Sequence, residues 1–171
     1  IEEGLSSIDQ IPGRFEKVPC DKGFSVVVDY AHTDDALRSV LRAAQAFTPG
    51  RIITVFGCGG DRDRGKRKAM GRVAIEESGF SIITSDNPRT ENPRYILDDI
   101  LEGVPSSMNH GECYQIVIDR KEAIRFAIQR ARPVVLVMIS GKGHENYQIV
   151  KTGKIHFDDR GVAEEAMRRM P

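Results

Sequence analysis

The run Thr84-Ser85-Asp86-Asn87-Pro88-Arg89-Thr90 sets an acid, an amide, a rigid ring and a guanidinium side by side. Arg89 offers a planar fork suited to a carboxylate or a phosphate. Pro88 fixes its own φ and biases Asn87 toward an extended backbone. The same residue types also build ordinary polar turns and helix caps. A second concentration is Ser140-Gly141-Lys142-Gly143-His144-Glu145, with two glycines, a cation, an imidazole and an acid. A third runs from Gly57 through Gly59, Gly60, Asp61, Arg62, Asp63, Arg64, Gly65 and Lys66 to Arg67. Its glycines let the backbone approach a ligand closely. Its four cations near a helix start suit an anion, or else form a solvated charge run tempered by Asp61 and Asp63. The fourth is Asp29-Tyr30-Ala31-His32-Thr33. An acid there could hold a ribose hydroxyl or a metal-bound water, and Asp29 and His32 could instead each be only a turn residue. Arg14, after the flexible Gly13, is either a solvated strand charge or a reach into a ligand.

Several sharper motifs fail. Gly60-x4-Gly65-Lys66 has P-loop spacing, but Arg67 stands where a Ser or Thr hydroxyl would meet Mg²⁺. Gly57-x-Gly59-x-x-Arg62 misses the last glycine of the dinucleotide fingerprint. His144 and Glu145 lack the partners of a zinc-protease helix. His32, His110 and His156 are scattered, which argues against a structural zinc. Cys58 is either a reactive thiol or a passive small residue.

The elements that must position these groups alternate. Apolar or β-branched runs at 24–30, 51–56, 80–83, 113–118 and 134–139 read as strands, the last the most apolar and so central. Between them lie helical patterns. One carries Leu37, Val40, Leu41, Ala44 and Phe47 on a single face, opened by Thr33 with Asp34 and Asp35 and stopped by Gly50. Another runs over 67–78 and buries Met70, Val73 and Ala74. A third starts at Asn92-Pro93 and carries Ile96, Leu97, Ile100 and Leu101. A fourth has capping-box spacing at Asp119 and Glu122, with Ile124, Ala127 and Ile128 inward. Residues 13–18 alternate like an edge strand. Residues 147–150 and 154–157 flank Lys151-Thr152-Gly153 as a hairpin. Asp158-Asp159 opens a last helix with Val162, Ala166 and Met167. This pattern predicts an α/β fold: a three-layer, Rossmann-like, mostly parallel sheet with helices on both faces and a C-terminal hairpin. The loops at 29–34, 57–67, 84–90 and 140–145 all follow strands, and open α/β sheets bind ligands at that edge. They are expected to share one site.

Composition narrows the class. The 171 residues suit one domain with a real core, read as 13–171 after a linker or tail at 1–12. Lys plus Arg and Asp plus Glu both number 25, which argues against a broad nucleic-acid footprint. The longest apolar run is too short to span a bilayer, and no signal-peptide pattern opens the chain. Three widely spaced cysteines without a CxxC pair suit a reduced, cytoplasmic protein.

From Gly13 to the end, the chain resembles the C-terminal domain of the Mur ligases. The segments that carry this are Gly13-Arg14-Phe15-Glu16, Asp29-Tyr30-Ala31-His32-Thr33, Gly57-Cys58-Gly59-Gly60-Asp61-Arg62-Asp63, Asp86-Asn87-Pro88-Arg89 and Gly141-Lys142-Gly143-His144-Glu145. The Asp-Asn-Pro-Arg signature marks the branch that adds meso-diaminopimelate rather than lysine. One departure is Asp34, where the family usually has Pro; both residues open helices. The resemblance implies an ATP-dependent ligase of peptidoglycan synthesis. ATP phosphorylates the D-glutamate carboxylate of UDP-MurNAc-dipeptide, and the amine of diaminopimelate attacks the acyl phosphate. It implies that Arg62, Asp86, Asn87, Pro88, Arg89, Gly141 and Glu145 meet diaminopimelate, and that Arg14, Asp29 and His32 lie near the nucleotide. Arg62 and Arg89 would pair with the carboxylate of the second amino-acid centre, while Glu145 and the Gly141 carbonyl accept from its ammonium. Lysine lacks that carboxylate, and a site built for a polar group rejects an analogue without it by on the order of 10⁴.

The resemblance also implies that the ATP phosphates and Mg²⁺ are held mainly by a central domain with a Walker loop, and the UDP-sugar by an N-terminal one. Neither pattern occurs in this chain, so the 171 residues alone are expected not to catalyse ligation. Two rivals remain. One is the C-terminal domain of a lysine-adding ligase or a folylpolyglutamate synthetase. The other is a stand-alone module that binds a nucleotide or amino acid without catalysis.

Overall fold

The structure is a computed structural model that describes residues 11–170. Residues 1–10 and 171 lie outside the described residues, and with them most of the stretch read as a linker. Among the described residues a six-stranded sheet runs in the order β1-β2-β6-β3-β4-β5. Its strands are β1 (Glu16–Val18), β2 (Ser25–Asp29), β3 (Ile52–Phe56), β4 (Phe80–Ile83), β5 (Tyr114–Ile116) and β6 (Leu136–Ser140). All pairings are parallel except β1 with β2. Val27 of β2 and Thr54 of β3 both pair with Met138, so β6 is central, as its continuous apolar run requires.

Side chains alternate between two cores because strand residues point to opposite faces in turn. Val26, Val28, Ile53, Val55, Val137 and Ile139 face one cluster, and Val27, Ile52, Phe56 and Met138 the other. The first is covered by α4 (Arg120–Arg130) and α5 (Asp159–Arg168), the second by α1 (Asp34–Phe47), α2 (Gly65–Glu77) and α3 (Pro93–Leu101). The chain places α1, α2 and α3 on one face while it moves outward to β5. It then reverses through α4 to insert β6 in the middle, as right-handed crossovers demand. Each fully buried Leu or Ile contributes roughly 1.5–3 kcal/mol.

Helix starts follow the expected caps. Thr33 Oγ1 accepts from Ala36 N–H, Asn92 caps α3 with Pro93 behind it, and Asp119 and Asp158 cap α4 and α5. The Asp119 box closes on one side only, since the Glu122 carboxylate accepts from Arg125. A two-stranded sheet, β7 (Tyr147–Val150) with β8 (Gly153–His156), follows β6.

Three local expectations are corrected. Phe47 is 71% exposed; at the last position of α1 it has left the stripe formed by Leu37, Leu41 and Ala44 and lies edge-on to Phe15. Gly50 does not stop α1. The helix ends at Phe47, where Thr48 turns extended, its N–H and hydroxyl both donating to Ala44 O, and Pro49 follows. The strand expected over 113–118 shortens to Tyr114–Ile116 at the sheet edge.

Candidate functional site

The four strand-end loops do converge. Arg62, Asp86, Asn87, Arg89, Gly141 and Glu145 line a single cleft of about 410 Å³ at the carboxyl ends of β3, β4 and β6, together with His32. This is the crevice where β6 enters between β2 and β3, the position at which open α/β sheets hold ligands. Pro88 is buried and lines a neighbouring recess against Lys151 and Thr152.

Asn87 is 5% exposed, and its side chain makes three bonds at the floor of the site. Its Nδ2 donates to Glu145 Oε2 at 3.1 Å, and its Oδ1 accepts from Lys142 Nζ at 3.0 Å and from Ile149 N–H at 2.9 Å. Lys142 Nζ also reaches Glu145 Oε2 at 3.4 Å and lies 5.6 Å from the centre of the Tyr147 ring. The β7 strand thus forms one wall. Its Gln148 Nε2 donates to Asp86 O at 2.5 Å, and its Ile149 O accepts from Arg89 N–H at 2.9 Å.

Arg89 has φ +55°, a left-handed backbone that a residue with a side chain adopts at a cost of about 1–2 kcal/mol. The bond to Ile149 O holds it there. Its Nη1 donates to Gly60 O at 2.8 Å and to Asn87 O at 3.3 Å. Among the described residues no bond occupies Nη2 or Nε, which leaves one edge of the fork for an acceptor in the cleft. Arg62 is exposed and holds no ion pair among the described residues, so its guanidinium adds positive charge to the same cleft.

Gly141 has φ +120°, and a Cβ there would stand 2.8 Å from Asp86 Oδ2. Only glycine lets this backbone and the Asp86 carboxylate share the cleft. Beneath both lies Arg120, fully buried. It pairs with Asp159 (Nη2 to Oδ2, 2.7 Å; Nε to Oδ1, 2.8 Å) and donates to Ser140 O at 3.0 Å and weakly to Ser85 O at 3.5 Å. Burial disfavours the Arg120 charge, and Asp159, with Asp86 and Glu145 nearby, more than offsets this, so the guanidinium pKa is raised. One buried cation therefore ties together the ends of β4 and β6.

The three residues expected near a nucleotide divide. His32 lines the cleft; its Nδ1 is 2.9 Å from Tyr30 O and its ring stacks edge-on to Tyr30 at 4.7 Å. Arg14 places its guanidinium 4.9 Å over the same Tyr30 ring, outside the cleft lining. Asp29, 7% exposed, ties the turn: Oδ2 accepts from Phe15 N–H and Oδ1 from Ala31 N–H, both at 2.8 Å.

The basic loop is only partly a loop of free cations. Arg67 is fully buried in α2 and pairs with Glu91 and Asp99 at 2.8 Å; Arg64 pairs with Asp99 at 3.0 Å. The Arg67 hydrogen bonds hold the Glu91 carboxyl down at about 2. Lys66 turns to the cleft and donates to His32 O at 2.7 Å. Cys58 is 2% exposed with Sγ 3.5 Å from Met70 Sδ, and burial pushes its thiol up to about 12. It is the passive residue, not a nucleophile. Among the described residues no cluster of three or more His, Cys, Asp or Glu has metal-holding geometry, and no helix is long and apolar enough to cross a membrane.

Sequence reasoning gave no role to Lys142, Tyr30, Tyr147 or Gln148 in the site. The cation was visible between Gly141 and Gly143, but its complete burial was not. The hairpin was visible, but nothing local in its sequence says that it packs on residues 86–89.

Residues 13–143 match the family model described as Mur ligase, glutamate ligase domain. Over 169 residues the chain is 53% identical to the UDP-N-acetylmuramoyl-L-alanyl-D-glutamate–2,6-diaminopimelate ligase of Clostridioides difficile (strain 630), covering 99% of this chain and 34% of that protein. The same-named ligase of Syntrophomonas wolfei is 50% identical over 168 residues, 98% of this chain and 34% of that protein. A solved structure of a UDP-N-acetylmuramoyl-L-alanyl-D-glutamate–2,6-diaminopimelate ligase superposes with a TM-score of 0.86 at 40% identity, covering 97% of this chain and 33% of that one. The chain spans about a third of the length of the curated relatives it matches. By its match over most of its length, and by a sheet whose strand ends assemble the cleft described above, the chain belongs to the Mur ligase family, whose glutamate ligase domain it carries.

Proposed function

We propose that residues 13–171 form the amino-acid-binding C-terminal domain of an ATP-dependent ligase. The enzyme joins meso-diaminopimelate to UDP-N-acetylmuramoyl-L-alanyl-D-glutamate through an acyl phosphate, in the cytoplasm, and residues 1–12 lead in from the domain before. The observation that carries this reading is the composition of one cleft: guanidinium groups of Arg62 and Arg89 together with the acceptors Asp86, Glu145 and the Gly141 backbone. A zwitterionic amino-acid centre presents the complementary carboxylate and ammonium. Charge-assisted hydrogen bonds to both ends fix its orientation, and desolvation of an unpaired guanidinium penalises a substrate without the distal carboxylate.

ATP and Mg²⁺ fit this chain unequally. Arg14 and His32, arranged around Tyr30, suit the base and sugar side of a nucleotide. The phosphates and metal do not fit the glycine-rich loop here. Arg67 occupies the place of the metal-binding hydroxyl, and its guanidinium is committed to Glu91 and Asp99. No phosphoryl-transfer step is assigned to these residues.

The test is a substrate comparison in the full-length ligase. ATP-dependent ligation is scored with meso-diaminopimelate, L-lysine and glutamate, and the 171-residue chain is assayed beside it. Strong preference for diaminopimelate, with no turnover by the chain alone, is expected. Preference for lysine or glutamate, or ligation by the isolated chain, overturns the reading.

A further inference from the structure

Lys142 has a fully buried side chain and lies behind the cleft, not among the residues that line it. A buried ammonium is costly unless its donors are used. Here they are used on two groups that do face the cleft: Asn87 Oδ1 at 3.0 Å and Glu145 Oε2 at 3.4 Å, with the Tyr147 ring on a further side.

The chemistry of these partners fixes the network. An amide side chain can be turned either way unless its neighbours decide. Both neighbours of Asn87 Oδ1, the Lys142 ammonium and the Ile149 N–H, are donors only. The amide oxygen must therefore face them, and the amide nitrogen must face Glu145. Glu145 Oε2 then holds two donors, while Oε1 holds none among the described residues. One carboxylate oxygen is anchored, and the other is presented to the cleft as an acceptor.

We infer that Lys142 is a positioning residue for specificity: by orienting Asn87 and Glu145 it sets the acceptor that recognises the distal ammonium of the amino-acid substrate. Recognition of the distal carboxylate falls to Arg62 and Arg89, which Lys142 does not touch. This rests on the reading of the cleft as a diaminopimelate site. The two halves of the distal centre are thus read by separate groups, and an experiment can separate them.

The probes are three amino acids in the full-length ligase: meso-diaminopimelate, 2-aminopimelate (distal carboxylate, no distal amine) and lysine (distal amine, no distal carboxylate). Lys142→Met removes the ammonium at nearly constant volume. Lys142→Gln, which keeps a neutral donor, is measured beside it so that a folding failure of the first does not silence the test; melting temperatures are recorded for both. The preference for diaminopimelate over 2-aminopimelate, as a ratio of kcat/KM, is expected to fall about tenfold, the loss of one charge-assisted contact. It falls mainly through a higher KM for diaminopimelate. The preference over lysine stays within about threefold of wild type. A purely structural role would lower kcat/KM for all three substrates in proportion and leave both ratios unchanged, which overturns the inference. So does a parallel fall of both ratios. A wild-type enzyme that does not prefer diaminopimelate overturns the cleft assignment itself, and the inference with it.

Discussion

Asn87 and Glu145, 58 positions apart in the chain, meet through a 3.1 Å hydrogen bond from Nδ2 to Oε2. The bond joins the loop after β4 to the loop after β6. Because Arg89 follows two residues after Asn87, its guanidinium and the Glu145 carboxylate are brought onto the same cleft. The cleft thus carries cationic and anionic side chains together, the pairing that the proposed amino-acid substrate requires.

Gly141→Ala tests how tightly this site is built. A Cβ at φ +120°, 2.8 Å from Asp86 Oδ2, forces either the backbone or the carboxylate to move, at a cost of about 1–3 kcal/mol. The thermal midpoint is expected to fall, and in the full-length ligase the KM for diaminopimelate to rise about tenfold or more with the KM for ATP unchanged. An unaltered diaminopimelate KM would count against a role for the Gly141 backbone.

The Arg120–Asp159 pair tests the support beneath it. Arg120→Met leaves a fully buried carboxylate unpaired, a loss of about 3–5 kcal/mol. Arg120→Met combined with Asp159→Leu is expected to recover a substantial part of that loss in urea unfolding. If the double variant is no more stable than the single one, the donors to Ser85 O and Ser140 O, and not the ion pair, carry the effect.

Much of this architecture was legible in advance because it is local. Val26-Val27-Val28 and Val137-Met138-Ile139 are strands by composition, and Thr33, Asn92-Pro93 and Asp119 start helices by their own side chains. The shared cleft followed from one rule, that such loops gather at the carboxyl edge of a parallel sheet. What stayed hidden depends on partners far away in sequence. Arg67 resembled a free cation of a basic loop until Glu91 and Asp99 came against it. Arg120 follows the Asp119 cap with nothing local to mark it, and its partner lies 39 positions on. Asp29 sat at a strand end like a ligand-binding acid, yet its two oxygens tie the backbone of Phe15 and Ala31. Phe47 matched the apolar stripe by spacing, but it ends its helix and lies exposed.

The Arg67–Glu91 pair gives a pH dependence of definite sign. The Glu91 carboxyl is lowered from 4.5 to about 2 in the folded chain, chiefly by its hydrogen bond from Arg67. A depressed carboxyl stabilises the fold above its unfolded pKa and loses that contribution as pH falls through the folded one. Wild type is therefore expected to exceed Glu91→Gln in urea midpoint at pH 7, with the gap closing as pH falls from 4.5 toward 2. A gap that persists undiminished at the acid end would contradict the assignment.

The cysteines should separate by environment. All three are free, with Cys20 and Cys113 part-exposed and Cys58 buried with its thiol near 12. Brief alkylation of the folded chain, read by mass spectrometry, is expected to modify Cys20 and Cys113 and to spare Cys58, which reacts only in denaturant. Early modification of Cys58 would show that the cleft floor opens.

The most direct measurement is ligand mapping on the chain itself by amide NMR. The backbone is assigned, and meso-diaminopimelate and lysine are titrated in turn to millimolar concentration. Diaminopimelate is expected to shift amides within 57–62, 86–89 and 141–149, and lysine to shift them much less at equal concentration. Equal shifts from both, or diaminopimelate shifts confined to other surfaces, would contradict the claim that these strand ends form one site for an amino acid with two charged centres.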